Sequence, residues 1–191
     1  MTLATRIQKL AEHRFATPIL GFVSFIESSV FPVPPDALLI PMCLAKPQKW
    51  FFYALVTTIT SVLGGLLGYA IGYYLFTEIG APALEALGKL HLMEDFRGYY
   101  EEYGSLIVFG AGLTPFPYKV ITIASGSLEL SLAVFTIASI LARGIRFFLV
   151  AFLVAYFGPP AVSWIKKNMA LAFTLGFVAI VGAFILYRLV I

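Results

Sequence analysis

The chain has 191 residues, 60% of them hydrophobic and 12% charged, with a mean hydropathy of +0.93 and a formal net charge of +3. A water-facing domain of this size cannot hide so much apolar surface, so lipid is the required solvent, and the length suits one all-α unit of a few crossings without a separate soluble domain. The charge is too small to argue for nucleic acid, the single Cys43 supports neither a disulfide nor a thiolate metal site, and His13 and His91 show no metal-ligand spacing, so no metal or cofactor is expected.

Residues 1–14 interleave Leu3, Ile7 and Leu10 with Arg6, Lys9, Glu12 and Arg14. This short basic amphipathic pattern lacks the apolar core and cleavage site of a signal peptide and is expected to lie on the cytoplasmic surface. Residues 15–46 follow as a first broken segment. Before Lys46 its only charges are Glu27 and Asp36, and Phe31-Pro32-Val33-Pro34-Pro35 interrupts its middle. It is too short for two crossings, and Pro32, Pro34 and Pro35 forbid one regular helix, because each proline removes a donor and clashes with the preceding turn. A hairpin that dips into the membrane and returns fits best, and broken backbone survives at that depth only inside protein or beside a water-filled cavity.

Residues 50–76 carry no charge, open at Trp50 and close near Tyr73 and Tyr74, as a crossing helix with interfacial aromatics does. Gly64, Gly68 and Gly72 recur every four residues with Gly65 beside them, leaving one face nearly bare for close helix approach. The linker at 78–103 is acidic, with Lys89 and Arg97 as its bases, and over 82–103 its Leu84, Leu87, Leu90 and Phe96 suggest an interfacial helix. A second hairpin is expected over 104–126, broken at Pro115 and Pro117, with Lys119 as its only charge. A second crossing over 130–157 contains Arg143 and Arg146 and is stopped by Gly158-Pro159-Pro160, and a last crossing occupies 169–191. With two hairpins and three crossings, the amino terminus, Lys46, Lys49, Lys166 and Lys167 share one side and the acidic linker the other, as the positive-inside rule requires.

The two hairpins resemble one another. Pro32-Val33-Pro34-Pro35-Asp36 and Pro115-Phe116-Pro117-Tyr118-Lys119 share a Pro-x-Pro core with an ionisable residue four positions after the first proline, an acid in one and a base in the other. Thr58-Ile59-Thr60-Ser61 likewise matches Thr136-Ile137-Ala138-Ser139 in the crossings that follow. A unit of one hairpin plus one crossing inverts its successor, which is the inverted-repeat plan of many transporters, with substrate held near mid-membrane.

Five ionisable residues fall within the apolar segments: Glu27, Asp36, Lys119, Arg143 and Arg146. A central charge costs at least about 2.5 kcal/mol, so each needs a partner, a cavity or neutralisation. Structural ion pairing is one outcome. The functional one is a phosphate-sized anion site made by Arg143, Arg146 and Lys119, assisted by free backbone donors at the opened helix ends, with Glu27 or Asp36 exchanging a proton as substrate comes and goes.

The Glu27–Asp36 segment with its prolines, the glycine-rich stretch from Gly64 to Tyr74 and the broken second hairpin resemble the DedA family, also called the SNARE-associated or VTT-domain family, over residues 15–168. The resemblance implies two opposed re-entrant hairpins, a bacterial cytoplasmic (inner) membrane location and proton-linked translocation of polyprenyl phosphate or phospholipid. It also matches Glu27 and Asp36 to the family's hairpin acids. The second hairpin departs from the family's Arg-Phe-x-Pro-x-x-Arg pattern: Gly112 and Tyr118 hold the arginine positions and Lys119 comes one later, which is more similar to the YqaA-like branch. Arg143 and Arg146 are then candidates to supply the missing charge. Membrane lipids, a lipid phosphate and protons are the expected partners, with a homo-oligomer left open. The competing functions are an ion or small-anion antiporter, an intramembrane lipid-phosphate enzyme and a non-catalytic membrane assembly factor.

Overall fold

The computed structural model describes residues 15–30, 33–86, 90–114 and 116–190. These residues are helical with short connections: α1 (Ala16–Ser29), α2 (Asp36–Ala45), α3 (Trp50–Leu75), α4 (Ala81–Ala86), α5 (Leu90–Leu113), α6 (Tyr118–Ser127), α7 (Leu132–Phe157) and α8 (Pro159–Val190). The basic amphipathic segment expected at residues 1–14 lies outside them. So do Pro32 and Pro115.

Proline chemistry sets where the second arm of each broken segment begins. Pro35 immediately precedes α2 at φ −64°, and Pro117 immediately precedes α6 at φ −61°. A ring that fixes φ near −65° and lacks an N–H suits a helix start, where the first donors have no helical partner anyway. Pro35 and Pro117 thus start the second arms, with Pro34 in the connection before α2. α2 also contains Pro41, which the sequence reading did not weigh.

α3 and α7 each have 26 residues. At 1.5 Å per residue each is about 39 Å long, enough for a hydrocarbon core of about 30 Å. They are the two helices among the described residues that are long and apolar enough to cross a membrane, α3 together with its flanking turns. Their outward faces fit that role: Leu55, Ile59, Leu63 and Leu67 form an exposed stripe on α3, and Ile137, Ile140, Leu141, Ile145 and Leu149 are exposed on α7. Large aliphatic side chains standing out in rows mark a surface made for acyl chains rather than water.

The long helices run antiparallel. Tyr53 and Ala54, near the start of α3, pack in one apolar cluster with Phe147, Val150, Ala151 and Val154, near the end of α7. Leu66 and Tyr69, further along α3, pack in a second cluster with Phe135 and Ala138, near the start of α7. α1 and α6 both lie against α3, whereas α5 and α2 lie against α7.

Three features differ from the sequence reading. α5 runs from Leu90 through Gly104 to Leu113 without a break, so the first arm of the second hairpin and residues 90–103 of the segment assigned to an interfacial linker are one helix. The reason is that residues 90–113 contain no proline, so nothing stops the helix between Tyr103 and Gly104. α3 continues through a π-helical turn at Phe76–Gly80 into α4 instead of ending near Tyr74. The last expected crossing falls within the single helix α8, which Gly158, at φ +63°, separates from α7. A left-handed residue there is tolerated because glycine has no Cβ.

Candidate functional site

The glycine face of α3 controls how closely the two short arms can approach. A Cβ on Gly64 would collide with the Phe25 carbonyl of α1, and one on Gly72 with the Ile123 carbonyl of α6. Between them Gly68 faces Thr122 and the Ser28 carbonyl, and Gly65 lies under Tyr118, Thr122 and Phe135. These four glycines therefore bring two backbones against α3, one from each broken segment, and leave the space between the apolar clusters for polar side chains.

That space holds a buried hydroxyl seam. Ser24 Oγ donates to the Thr57 carbonyl at 2.8 Å, Ser28 and Ser61 share a 2.8 Å hydrogen bond, and Thr122 Oγ1 donates to the Ser28 carbonyl at 3.2 Å. Buried hydroxyls cost free energy unless paired, so this seam fixes the register of α1 and α6 on α3.

Arg143 enters the seam from the middle of α7. Its Nη2 donates to Glu27 Oε2 at 2.6 Å and its Nε to Ser61 Oγ at 2.6 Å, while Ser28 Oγ also donates to Glu27 Oε2 at 3.1 Å. The guanidinium carbon lies 4.7 Å from the Tyr118 ring centroid and 4.6 Å from that of Phe147. Cations are attracted to ring faces at these distances. Tyr118 is held in turn by its hydroxyl, which donates to Ser139 Oγ at 2.5 Å. The Arg143 side chain is 1% exposed and that of Glu27 16%.

Arg146, one turn further along α7, makes the second pair. Its Nη2 donates to Asp36 Oδ2 at 2.9 Å and its Nη1 to the Thr114 carbonyl at 3.3 Å, with side-chain exposures of 19% for Arg146 and 24% for Asp36. Asp36 Oδ1 is buried and has no hydrogen-bond partner among the described residues. Lys119 Nζ donates to the Val30 carbonyl at 3.2 Å. Arg146 and Lys119 thus neutralise carbonyls at the two chain breaks, where the ends of α5 and α1 leave acceptors without helical donors.

Four of the five ionisable residues singled out by the sequence, Glu27, Asp36, Arg143 and Arg146, form the two ion pairs, while Lys119 makes an exposed bond to the Val30 carbonyl, so the arrangement differs from an anion site built of three bare cations. Each cation already has an acceptor, and what the breaks present to the described cations is carbonyl oxygen rather than N–H. The reading missed Ser28, Ser61, Tyr118, Ser139 and Phe147 as partners. Helical spacing could have found Phe147, four residues after Arg143 on the same face, and the repeat match already marked Ser61 and Ser139. Gly112 and Tyr118 both border Arg143: Tyr118 stacks on the guanidinium, and a Cβ on Gly112 would stand 3.7 Å from Arg143 Cδ. No group of three or more His, Cys, Asp or Glu that could hold a metal ion occurs among the described residues.

A family model described as the VTT domain matches residues 33–156. An uncharacterized protein of Haemophilus influenzae is 37% identical over 186 residues, covering 97% of this chain and 95% of its own length. An uncharacterized protein of Histophilus somni is 34% identical over 186 residues, with the same coverages. No solved structure matches the chain.

Proposed function

We propose that this chain, which belongs to the VTT-domain (DedA) family, is a membrane transporter that translocates a lipid or lipid phosphate, polyprenyl phosphate or phospholipid, in exchange with protons. The observation that carries the reading is the charged layer at mid-length of two membrane-long antiparallel helices, where Glu27 and Asp36 of the first broken segment meet Arg143 and Arg146 of α7. Charge at that position is costly unless it is used or tightly compensated, and carboxylates facing guanidinium groups can trade places with an incoming phosphate as protons bind.

The packing supports an inverted repeat. α3 lies against its own first arm, α1, and against the second arm of the other unit, α6; α7 lies against α5 and α2, the corresponding arms. In this plan both broken segments are re-entrant, the protein resides in the bacterial cytoplasmic membrane with its amino terminus in the cytoplasm, and it performs no covalent catalysis. Tyr118 and Gly112, which take the place of arginines in the DedA pattern, border Arg143, so positive charge reaches the same spot from the neighbouring crossing.

The partnering of Arg143 through Nε and Nη2 favours a second reading, an assembly factor in which the charges serve packing alone. Reconstitution separates the two. Liposomes containing the protein are expected to translocate polyprenyl phosphate or phospholipid faster under a pH gradient, and Arg143→Ala and Glu27→Gln proteins are expected to lose that activity. Wild-type rates in both variants, or full function of proteins with the acid and base exchanged within each pair, would support the assembly reading.

A further inference from the structure

The two ion pairs are built differently. Arg143 is 1% exposed, gripped by a carboxylate and two hydroxyl oxygens, with Ser28 Oγ at 3.4 Å as the second, and close to the faces of two rings. Arg146 has one carboxylate oxygen, one long bond to a carbonyl and a single distant ring, that of Phe147 at 5.9 Å. Both acids engage through a single oxygen, but Glu27 Oε2 receives two donors and Asp36 Oδ2 one, and Asp36 Oδ1 is buried with no described partner. A buried carboxylate oxygen without a donor is an unfavourable feature that protonation or an incoming donor relieves.

We propose that Glu27–Arg143 is a fixed post and that Asp36–Arg146 is the pair that opens: Asp36 accepts the proton and Arg146 passes to an anionic head group of the phosphate class. This deepens the transport reading and rests on it. Charge balances through the step. The closed state holds Asp36 carboxylate with Arg146 guanidinium; the open state holds neutral Asp36, Arg146 guanidinium and one negative charge of the ligand. The proton comes from water on the side where Asp36 is reached and returns to water when the ligand leaves. Thr114, whose carbonyl already takes Arg146 Nη1, keeps the guanidinium from following Asp36. The other charged groups of this layer are Arg143 on α7 and Glu27 on α1, and they compensate one another.

Dicyclohexylcarbodiimide tests the division without any substrate. A carboxyl must first give its proton to a carbodiimide nitrogen; the carboxylate oxygen then attacks the central carbon, and the adduct retains the whole reagent. Full-length protein in phosphatidylethanolamine–phosphatidylglycerol liposomes is treated and its peptides are weighed. Asp36 is expected to be modified at least about tenfold faster than Glu27, because Glu27 Oε2 is held by Arg143 and Ser28 together whereas Asp36 is held by one donor and is the more exposed of the two side chains. Asp36 modification is also expected to fall as pH rises. In Arg143→Gln, or in Arg143→Met should that protein not fold, Glu27 becomes reactive, which shows that pairing and not shielding protected it. Equal or faster modification of Glu27 in the wild type, or pH-independent modification of Asp36, overturns the proposal. In the translocation assay Asp36→Asn is expected to lose its response to the pH gradient and Asp36→Glu to regain it, and a wild-type response in Asp36→Asn also overturns the proposal. Failure of the wild type to move either lipid would instead refute the transport reading, while the carbodiimide result would still decide which acid exchanges its proton.

Discussion

Arg143 lies over two ring faces and offers Nε and Nη2 to oxygen acceptors, a geometry that suits a flat, forked cation. Lysine brings the charge without the plane or the fork, so Arg143→Lys is expected to behave as a damaging substitution and not a conservative one. Arg143→Gln removes the cation paired with the part-buried Glu27, and breaking such a pair from one side costs up to about 3–5 kcal/mol, the figure for a fully buried pair. Thermal unfolding in detergent should therefore show a large drop for Arg143→Gln and partial recovery in the Glu27→Gln/Arg143→Gln double variant. Additive losses would mean that the two side chains do not act as a pair. At this scale the sequence told which residues carry charge in an apolar setting. It did not tell that the buried oxygen without a donor belongs to Asp36 rather than to Glu27, because that depends on neighbours far along the chain.

The helices show which local signals carried through. Glycine at every fourth position of α3 foretold a close-packed face, and Gly64 and Gly72 do bring carbonyls of α1 and α6 against it. Gly64→Ala inserts a methyl group into the Phe25 carbonyl and is expected to destabilise by about 1–3 kcal/mol through overpacking. Gly144→Ala is the contrast. It lies in the middle of α7 with only the Thr58 methyl nearby, at 3.9 Å, so losing glycine's backbone freedom should stabilise by about 0.5–1 kcal/mol. The same unfolding assay ranks both, and a neutral Gly64→Ala would contradict the close contact. Proline punctuation placed the starts of α2 and α6 correctly. The boundary at Tyr103–Gly104 had no such marker, and there the acidic, amphipathic composition was mistaken for a separate element that α5 absorbs.

For the molecule as a whole, the antiparallel pair of long helices makes a claim about sidedness. Lys49 immediately precedes α3 and Glu78 follows its end, both exposed and separated by the full 26-residue helix. With the buried Cys43 replaced by serine, Lys49→Cys and Glu78→Cys should react with an impermeant maleimide from opposite sides of the membrane, Lys49→Cys from the cytoplasm. Labelling of both from one side would remove α3 as a crossing and the transport reading with it. The apolar character, two helices long enough to cross a membrane and new helices beginning after Pro35 and Pro117 were legible in the sequence, because hydropathy, charge spacing and the missing proline N–H act over one or two helical turns. Which acid meets which arginine was decided only in three dimensions. Glu27 and Asp36 reach Arg143 and Arg146 from the opposite end of the chain, and the match exists only because glycine contacts and a hydroxyl seam set the register of α1 and α6 on α3 while α7 lies antiparallel beside them.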